Sequence, residues 1–251
     1  MKARIIDIQD VKVACSECSL RELCLPLGLD EAGLNSLGSV IKRTRKLKKG
    51  DFLYRVGDPL TSLYAVSKGS IKTCELSANG QIQITGFHLT GELVGVDGIS
   101  TDRHHCDAIA LEPTELCELP YTDLEDVSHK VPSLQHQLFK LLSREIVQDG
   151  ELLLMVGKMN AEERLATSLL SFSRRYSRLG LSGTQFRLSM SRQDLGDYLG
   201  LALETVSRLF SRFQDEGLLH IEGRNVDILE LDALMGIAGQ GGSKPGSRVK
   251  L

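Results

Sequence analysis

Glycine recurs at Gly50, Gly57, Gly69, Gly80, Gly86, Gly91 and Gly95 and cuts the stretch from Arg43 to Pro120 into apolar segments too short for ordinary helices. That rhythm restricts the region to short strands joined by turns. Phe52-Leu53-Tyr54, Leu63-Tyr64-Ala65-Val66 and Ile82-Gln83-Ile84-Thr85-Gly86-Phe87 have strand composition, at a spacing that suits a small barrel or a double-sheet jelly roll. With 251 residues and 41% apolar composition, the chain has material for a second domain.

After Pro120 the rhythm changes. Pro132 is a good first helical residue, and the sequence predicts one long helix from there to about Lys158. Phe139, Leu142, Ile146, Asp149, Leu153 and Val156 fall alternately three and four residues apart, a seam suited to pairing with another helix. Asp149 is its only charged member. In a symmetric pair it repels its mate, so the dimer would be weak unless something else stabilised it, which makes a switch. The alternative is that this face packs inside its own subunit on a slightly rotated helix; a double-length helix joining two domains favours the pair.

From Asn160 to about Gly239 the chain reads as helices closed by a hairpin. Ser191 is a helix N-cap for Arg192 to Leu199, whose Leu195, Tyr198 and Leu199 share a face, and Gly200 stops that helix. A second helix runs from about Ala202 to Glu216 with Val206, Leu209, Phe210 and Phe213 on one side. Two helices joined by a short glycine turn, with the small Gly196 where they cross, make a helix-turn-helix. Its second helix begins with Glu204, Thr205, Ser207 and Arg208, followed by Ser211 and Arg212. Arginine can fork onto guanine, glutamate can accept from cytosine and serine can serve either way. The competing reading is a solvated face in which Glu204 pairs with Arg208. Leu218-Leu219-His220-Ile221 and Val226-Asp227-Ile228-Leu229 flank a turn and form a wing. The net charge of −3 neither supports nor excludes nucleic acid, so this reading rests on local arrangement. From Gly239 to Ser247 apolar content is too low to fold.

Near the amino terminus, Cys15, Cys18 and Cys24 form a C-x2-C-x5-C run in a polar stretch. No apolar run there resembles a signal peptide or a membrane span, so a soluble, cytoplasmic chain with reduced thiols is expected. Three clustered thiolates need a fourth metal ligand, and Cys74, Cys106 and Cys117 are available. A zinc ribbon would show a second C-x-x-C pair, whereas iron-sulfur sites often take three ligands from one run and a distant fourth; the spacing favours iron. Cys74 and Cys106, taken alone, read as small buried hydrophobes. No paired carboxylates, nucleophile elbow or phosphate loop supports an enzyme.

A β-roll, a long helix and a winged helix-turn-helix in this order resemble the Crp-Fnr regulators, and the chain is most similar to their oxygen-sensing FNR branch. The resemblance is carried by the three-cysteine run, Gln83-Ile84-Thr85-Gly86-Phe87-His88-Leu89, Asn160-Ala161-Glu162-Glu163-Arg164, Tyr198-Leu199-Gly200-Leu201 and Glu204-Thr205-Val206-Ser207-Arg208. It implies an α+β architecture: a cysteine segment over 1–30, a cyclic-nucleotide-binding-like roll over 31–130, a dimerisation helix over 131–159, a winged helix-turn-helix over 160–239 and a disordered tail over 240–251. It also implies a 4Fe-4S cluster on Cys15, Cys18, Cys24 and Cys117, converted to 2Fe-2S or lost in oxygen, and a homodimer through the Phe139 to Val156 seam. Glu204, Ser207 and Arg208 would read a TTGAT-like palindrome in double-stranded DNA, with Ser191, Arg192, Gly200, Thr205, Ser211 and Arg212 completing the DNA-binding motif. RNA polymerase would be a further partner, through the loop from Ser77 to Gln83 and the roll surface. Cyclic AMP is not expected, because Asp107 and Ala108 stand where relatives place a phosphate-gripping arginine and serine. His104, His105 and Cys106 lie outside the family pattern.

Overall fold

A computed structural model describes Cys24 and residues 29–41, 43–77 and 79–239, except the side chains of Arg43 and Thr44. Their contacts divide into two units, one reaching Glu75 together with Gly86–Ile146, the other Leu76–Thr85 together with Val147 onward. The expected tail over 240–251, Cys15 and Cys18 lie outside the described residues.

Eight strands form two four-stranded antiparallel sheets, as the glycine rhythm requires. They are β1 (Arg43–Leu47), β2 (Phe52–Tyr54), β3 (Ser62–Lys68), β4 (Ile71–Leu76), β5 (Ile82–His88), β6 (Leu93–Val94), β7 (Asp107–Ala110) and β8 (Thr114–Pro120). One sheet has the order β1-β8-β3-β6 and the other β2-β7-β4-β5. Leu47, Tyr54, Val66, Ile71, Val94, Ala108 and Leu116 belong to one buried cluster in the roll. Strand alternation sends neighbouring residues to the opposite face. There Leu63, Ala65, Leu93 and Leu119 pack with helix α1 (Glu31–Val40), helix α2 (Tyr121–Lys130) and the first turns of α3 (Pro132–Lys158), through Leu34, Leu37, Leu124, Leu134 and Leu141. Helix α1 begins where the Asp30 carboxylate accepts from the Gly33 N–H at 2.8 Å, an N-cap that frees its Leu34/Leu37 stripe for burial.

The second unit holds the end of α3, then α4 (Ala161–Arg178), β9 (Gln185–Arg187), α5 (Arg192–Leu199), α6 (Leu203–Asp215), β10 (Leu219–Glu222), β11 (Asn225–Ile228) and α7 (Leu231–Ile237). The wing is a sheet of three strands, β10-β11-β9, because Phe186 pairs with Val226 and both are buried. Among the described residues no helix is long and apolar enough to cross a membrane.

Candidate functional site

Helices α5 and α6 form the helix-turn-helix at the expected positions. The Ser191 hydroxyl accepts from the Asp194 N–H at 3.1 Å while Asp194 accepts from the Ser191 N–H at 2.8 Å, a reciprocal cap that fixes the start of α5. Gly200 ends it with φ of 64°, in the left-handed region that glycine enters without strain. Gly196 is needed for a different reason: a Cβ there would sit 2.6 Å from the Leu201 carbonyl oxygen. Gly196→Ala is therefore expected to cost about 1–3 kcal/mol through forced displacement of the turn, seen as a lower melting temperature and weaker DNA binding.

Val206, Leu209, Phe210 and Phe213 of α6 are buried against Leu195 and Leu199 of α5, which turns the other face of α6 outward. Glu204, Ser207 and Arg208 lie together on that exposed face, and Thr205 is half-buried beside them. The Arg208 Nε donates to the Glu204 backbone carbonyl at 3.3 Å, and the Ser211 hydroxyl to the Ser207 carbonyl at 3.3 Å. Arg192 is placed differently: its guanidinium lies 3.2 Å from the Phe210 ring centroid, its buried Nη1 has no hydrogen-bond partner among the described residues, and burial lowers its pKa to about 10. Arg212 is held rather than presented, forked onto Glu162 of α4 at 2.5 Å and bonded to Glu216 at 2.8 Å. Glu162 lies far away in sequence, so no local spacing could have revealed this partner.

The expected seam on α3 faces outward. Phe139, Ile146 and Leu153 are 61%, 72% and 77% exposed, Leu142 and Val156 are half-buried, and Asp149 is exposed among them. The opposite stripe, Leu134, Gln137, Leu141 and Met155, is the one buried within the chain. The rotated-helix alternative therefore does not describe this helix. Apolar surroundings raise the pKa of Asp149 by disfavouring its charged form.

The cysteines fall into distinct environments. Cys24 and Cys117 are half-buried thiols, and both edge the same apolar cluster, the one shared by α1, the outer face of the roll and α3. Cys117 reaches that face because β8 alternates: its neighbour Leu116 points into the roll. Cys106 joins Leu116 in the interior cluster. Its thiol donates to Asp97 at 3.5 Å, and burial followed by the Asp97 charge pushes its pKa up, away from the thiolate a metal requires. Asp97 also accepts from the Tyr54 hydroxyl at 3.1 Å and the His105 N–H at 2.8 Å, and its Oδ1 is 3.2 Å from His104 Nδ1. Burial opposes its ionisation, but these bonds prevail and hold its pKa at about 2. His104 stacks on Tyr54 at 3.5 Å, so His104 and Cys106 are occupied with packing the roll. Cys74 is buried on β4. Among the described residues no three His, Cys, Asp or Glu side chains converge to hold a metal ion. Cys24 and Cys117, which both edge this cluster, are soft donors of the kind that a thiolate-bound iron-sulfur group takes.

Asp107 accepts from the Val56 N–H at 2.8 Å, and Ala108 is fully buried.

Comparison with known proteins agrees with this architecture. Residues 44–130 match the cyclic nucleotide-binding domain, and residues 163–237 the Crp-like helix-turn-helix domain. The chain is 48% identical over 225 residues to the transcriptional activator protein anr of Pseudomonas aeruginosa, covering 90% of this chain and 92% of that one. It is 44% identical over 227 residues to the fumarate and nitrate reduction regulatory protein of Escherichia coli K12, covering 90% and 91%. The structure of FixK2 from Bradyrhizobium japonicum superposes with a TM-score of 0.72 at 30% identity, over 77% of this chain and 96% of that one. These relatives are transcription regulators and not enzymes, and the chain belongs to the FNR-type regulators of the Crp-Fnr family.

Proposed function

We propose that this protein is a cytoplasmic oxygen-responsive regulator of anaerobic metabolism genes, whose amino-terminal cysteines control pairing of α3 and hence binding of a palindromic DNA site. The observation that carries the reading is the shared core: Cys24 and Cys117 edge the same apolar cluster that buries Leu134 and Leu141 of α3. A change at the cysteines therefore bears directly on the packing of the dimerisation helix. Cys15, Cys18, Cys24 and Cys117 would hold a 4Fe-4S cluster, which would supply an oxygen-sensitive centre. The thiolates of Cys24 and Cys117 tie the amino-terminal segment to the outer face of the roll. Phe139, Ile146 and Leu153 then bury their exposed surface against a second copy, which offsets the repulsion between paired Asp149 carboxylates.

A symmetric dimer presents two copies of α6 to adjacent major grooves, about 34–36 Å apart. Glu204, Ser207 and Arg208 are the base-reading residues of each half-site, which is TTGAT-like by family resemblance. Ser191, Arg192, Gly200, Thr205 and Ser211 shape or flank that helix. RNA polymerase is the further partner, through the Ser77 to Gln83 loop and the roll surface. Cyclic nucleotide is not a ligand, because Asp107 places an acid where a phosphate would sit. The test is DNA binding by the oxygen-free protein. Arg208→Ala is expected to lose about 1–3 kcal/mol at a TTGAT palindrome and little on random DNA, as read by titration on both. Equal losses on the two DNAs would remove Arg208 from base reading.

A further inference from the structure

The segment Asn160-Ala161-Glu162-Glu163-Arg164 does not contribute a base-reading residue or a cysteine, yet its side chains reach three helices. Asn160 Oδ1 accepts from the N–H groups of Glu162 and Glu163 at 3.0 and 3.1 Å, and Glu163 accepts from the Asn160 N–H at 2.8 Å. This capping box starts α4 sharply at the end of α3 and fixes where the next two side chains point. Glu162 forks onto Arg212 of α6. Arg164 turns the other way and donates from three nitrogens to three backbone carbonyls: Nη2 to Val156 at 2.8 Å, Nε to Met159 at 2.9 Å and Nη1 to Leu199 at 2.9 Å.

Those carbonyls lie at helix ends. Val156 is in the last turn of α3, Met159 follows it directly, and Leu199 is the last residue of α5. Carbonyls at a helix C-terminus lack intrahelical donors and carry the negative end of the helix dipole, so one guanidinium satisfies two such ends at once. Its rigid planar fork holds both in one geometry, which a flexible lysine amine cannot do. The contact is close enough that a Cβ on Gly200 would lie 3.4 Å from Arg164 Nη1 and 3.6 Å from Val156 Cγ1. Tyr198, the residue before Leu199, is half-buried within electrostatic reach of Asp149 and Glu151 on α3.

We propose that the Asn160–Arg164 junction couples the dimerisation helix to the DNA-reading head, with Arg164 as the positioning residue that fixes the end of α3 against the end of α5 and so sets the separation of the two recognition helices. This rests on the reading of α3 as a dimer helix and α6 as a DNA reader. Position along α3 is thereby passed to α5 by Arg164 and to α6 by Glu162 and Arg212, without any of these residues needing to touch a base.

The test uses full-length, oxygen-free protein and three duplexes: the palindrome, the palindrome with one base pair inserted between half-sites, and a single half-site. The wild type is expected to lose about tenfold or more in affinity on the insertion, because a rigid dimer matches one spacing. Arg164→Ala is expected to keep the dimer mass and the half-site affinity within about twofold, bind the palindrome about tenfold more weakly, and lose less than about threefold on the insertion. Arg164→Lys, which keeps the charge and reaches one carbonyl at a time, carries the same test should the alanine variant fail to fold. Intact spacing preference in a folded variant, or equal losses on half-site and palindrome, would overturn the coupling and assign Arg164 to folding alone. A wild-type chain that stays monomeric or does not distinguish the palindrome would instead overturn the dimer reading, and the coupling with it.

Discussion

Asp149→Ala is expected to form dimers in air and to bind its DNA site there, where the unsubstituted chain is expected to stay monomeric. The seam around Asp149 is apolar and outward-facing, so the two carboxylates of a symmetric pair approach one another among Ile146 and Leu153. Like charges a few ångströms apart at the effective dielectric of a protein surface cost about 2–3 kcal/mol after screening, roughly a hundredfold in the dimer dissociation constant. Alanine removes that term and keeps the apolar contact. The pH dependence follows in sign. The pKa of Asp149 is already raised by its surroundings, and pairing would raise it further, so association takes up protons and tightens as pH falls. Sedimentation of cluster-free protein should show a larger mass at the lower of two pH values, with Asp149→Ala insensitive between them. Glu151 and Tyr198 stand nearby, and the alanine variant separates their contribution from that of Asp149. A variant that remains monomeric at both values would remove the seam from the mechanism.

Cys117→Ser is expected to lose iron and oxygen-free DNA binding together, while Cys106→Ser keeps both. Serine is nearly the size of cysteine but supplies no soft thiolate, so the difference tests ligation and not packing. Cys117, like Cys24, edges the apolar cluster on the outer face of the roll, whereas Cys106 is inside it with its thiol donated to Asp97. Cys74→Ser, buried on β4, should follow Cys106→Ser, with at most a small loss of stability. Iron analysis of the three variants decides the matter, and iron retained by Cys117→Ser would move the fourth ligand elsewhere.

Most of the architecture could be read from spacing because the signals were local. Glycine rhythm marked the roll, Pro132 and Lys158 bounded α3 where the structure has it, and Ser191 and Gly200 bracketed α5. Helix α1 went unread although Asp30 and the Leu34/Leu37 stripe announced it, since ten residues beside a cysteine run give a short and easily overlooked period. The third wing strand, Gln185–Arg187, has too few residues for any periodicity and exists because Phe186 finds Val226. The seam on α3 was legible as a pattern, but its exposure was not, because sequence does not say which of two apolar stripes the chain covers itself. Nor could spacing show that Arg212 is held by Glu162, or that Arg164 ties together two helix ends. Those are long-range pairs of ordinary surface residues, and only the fold brings them into register.

The proposed function requires that the cysteines hold an oxygen-sensitive cluster that governs assembly. The measurement is iron, acid-labile sulfide, visible absorbance and sedimenting mass of protein purified without oxygen, taken again after admission of air. About four iron and four sulfide per chain, with a broad thiolate-to-iron absorbance near 400 nm that bleaches as dimer becomes monomer, is the expected result. Zinc or no metal, with a mass indifferent to air, would contradict it.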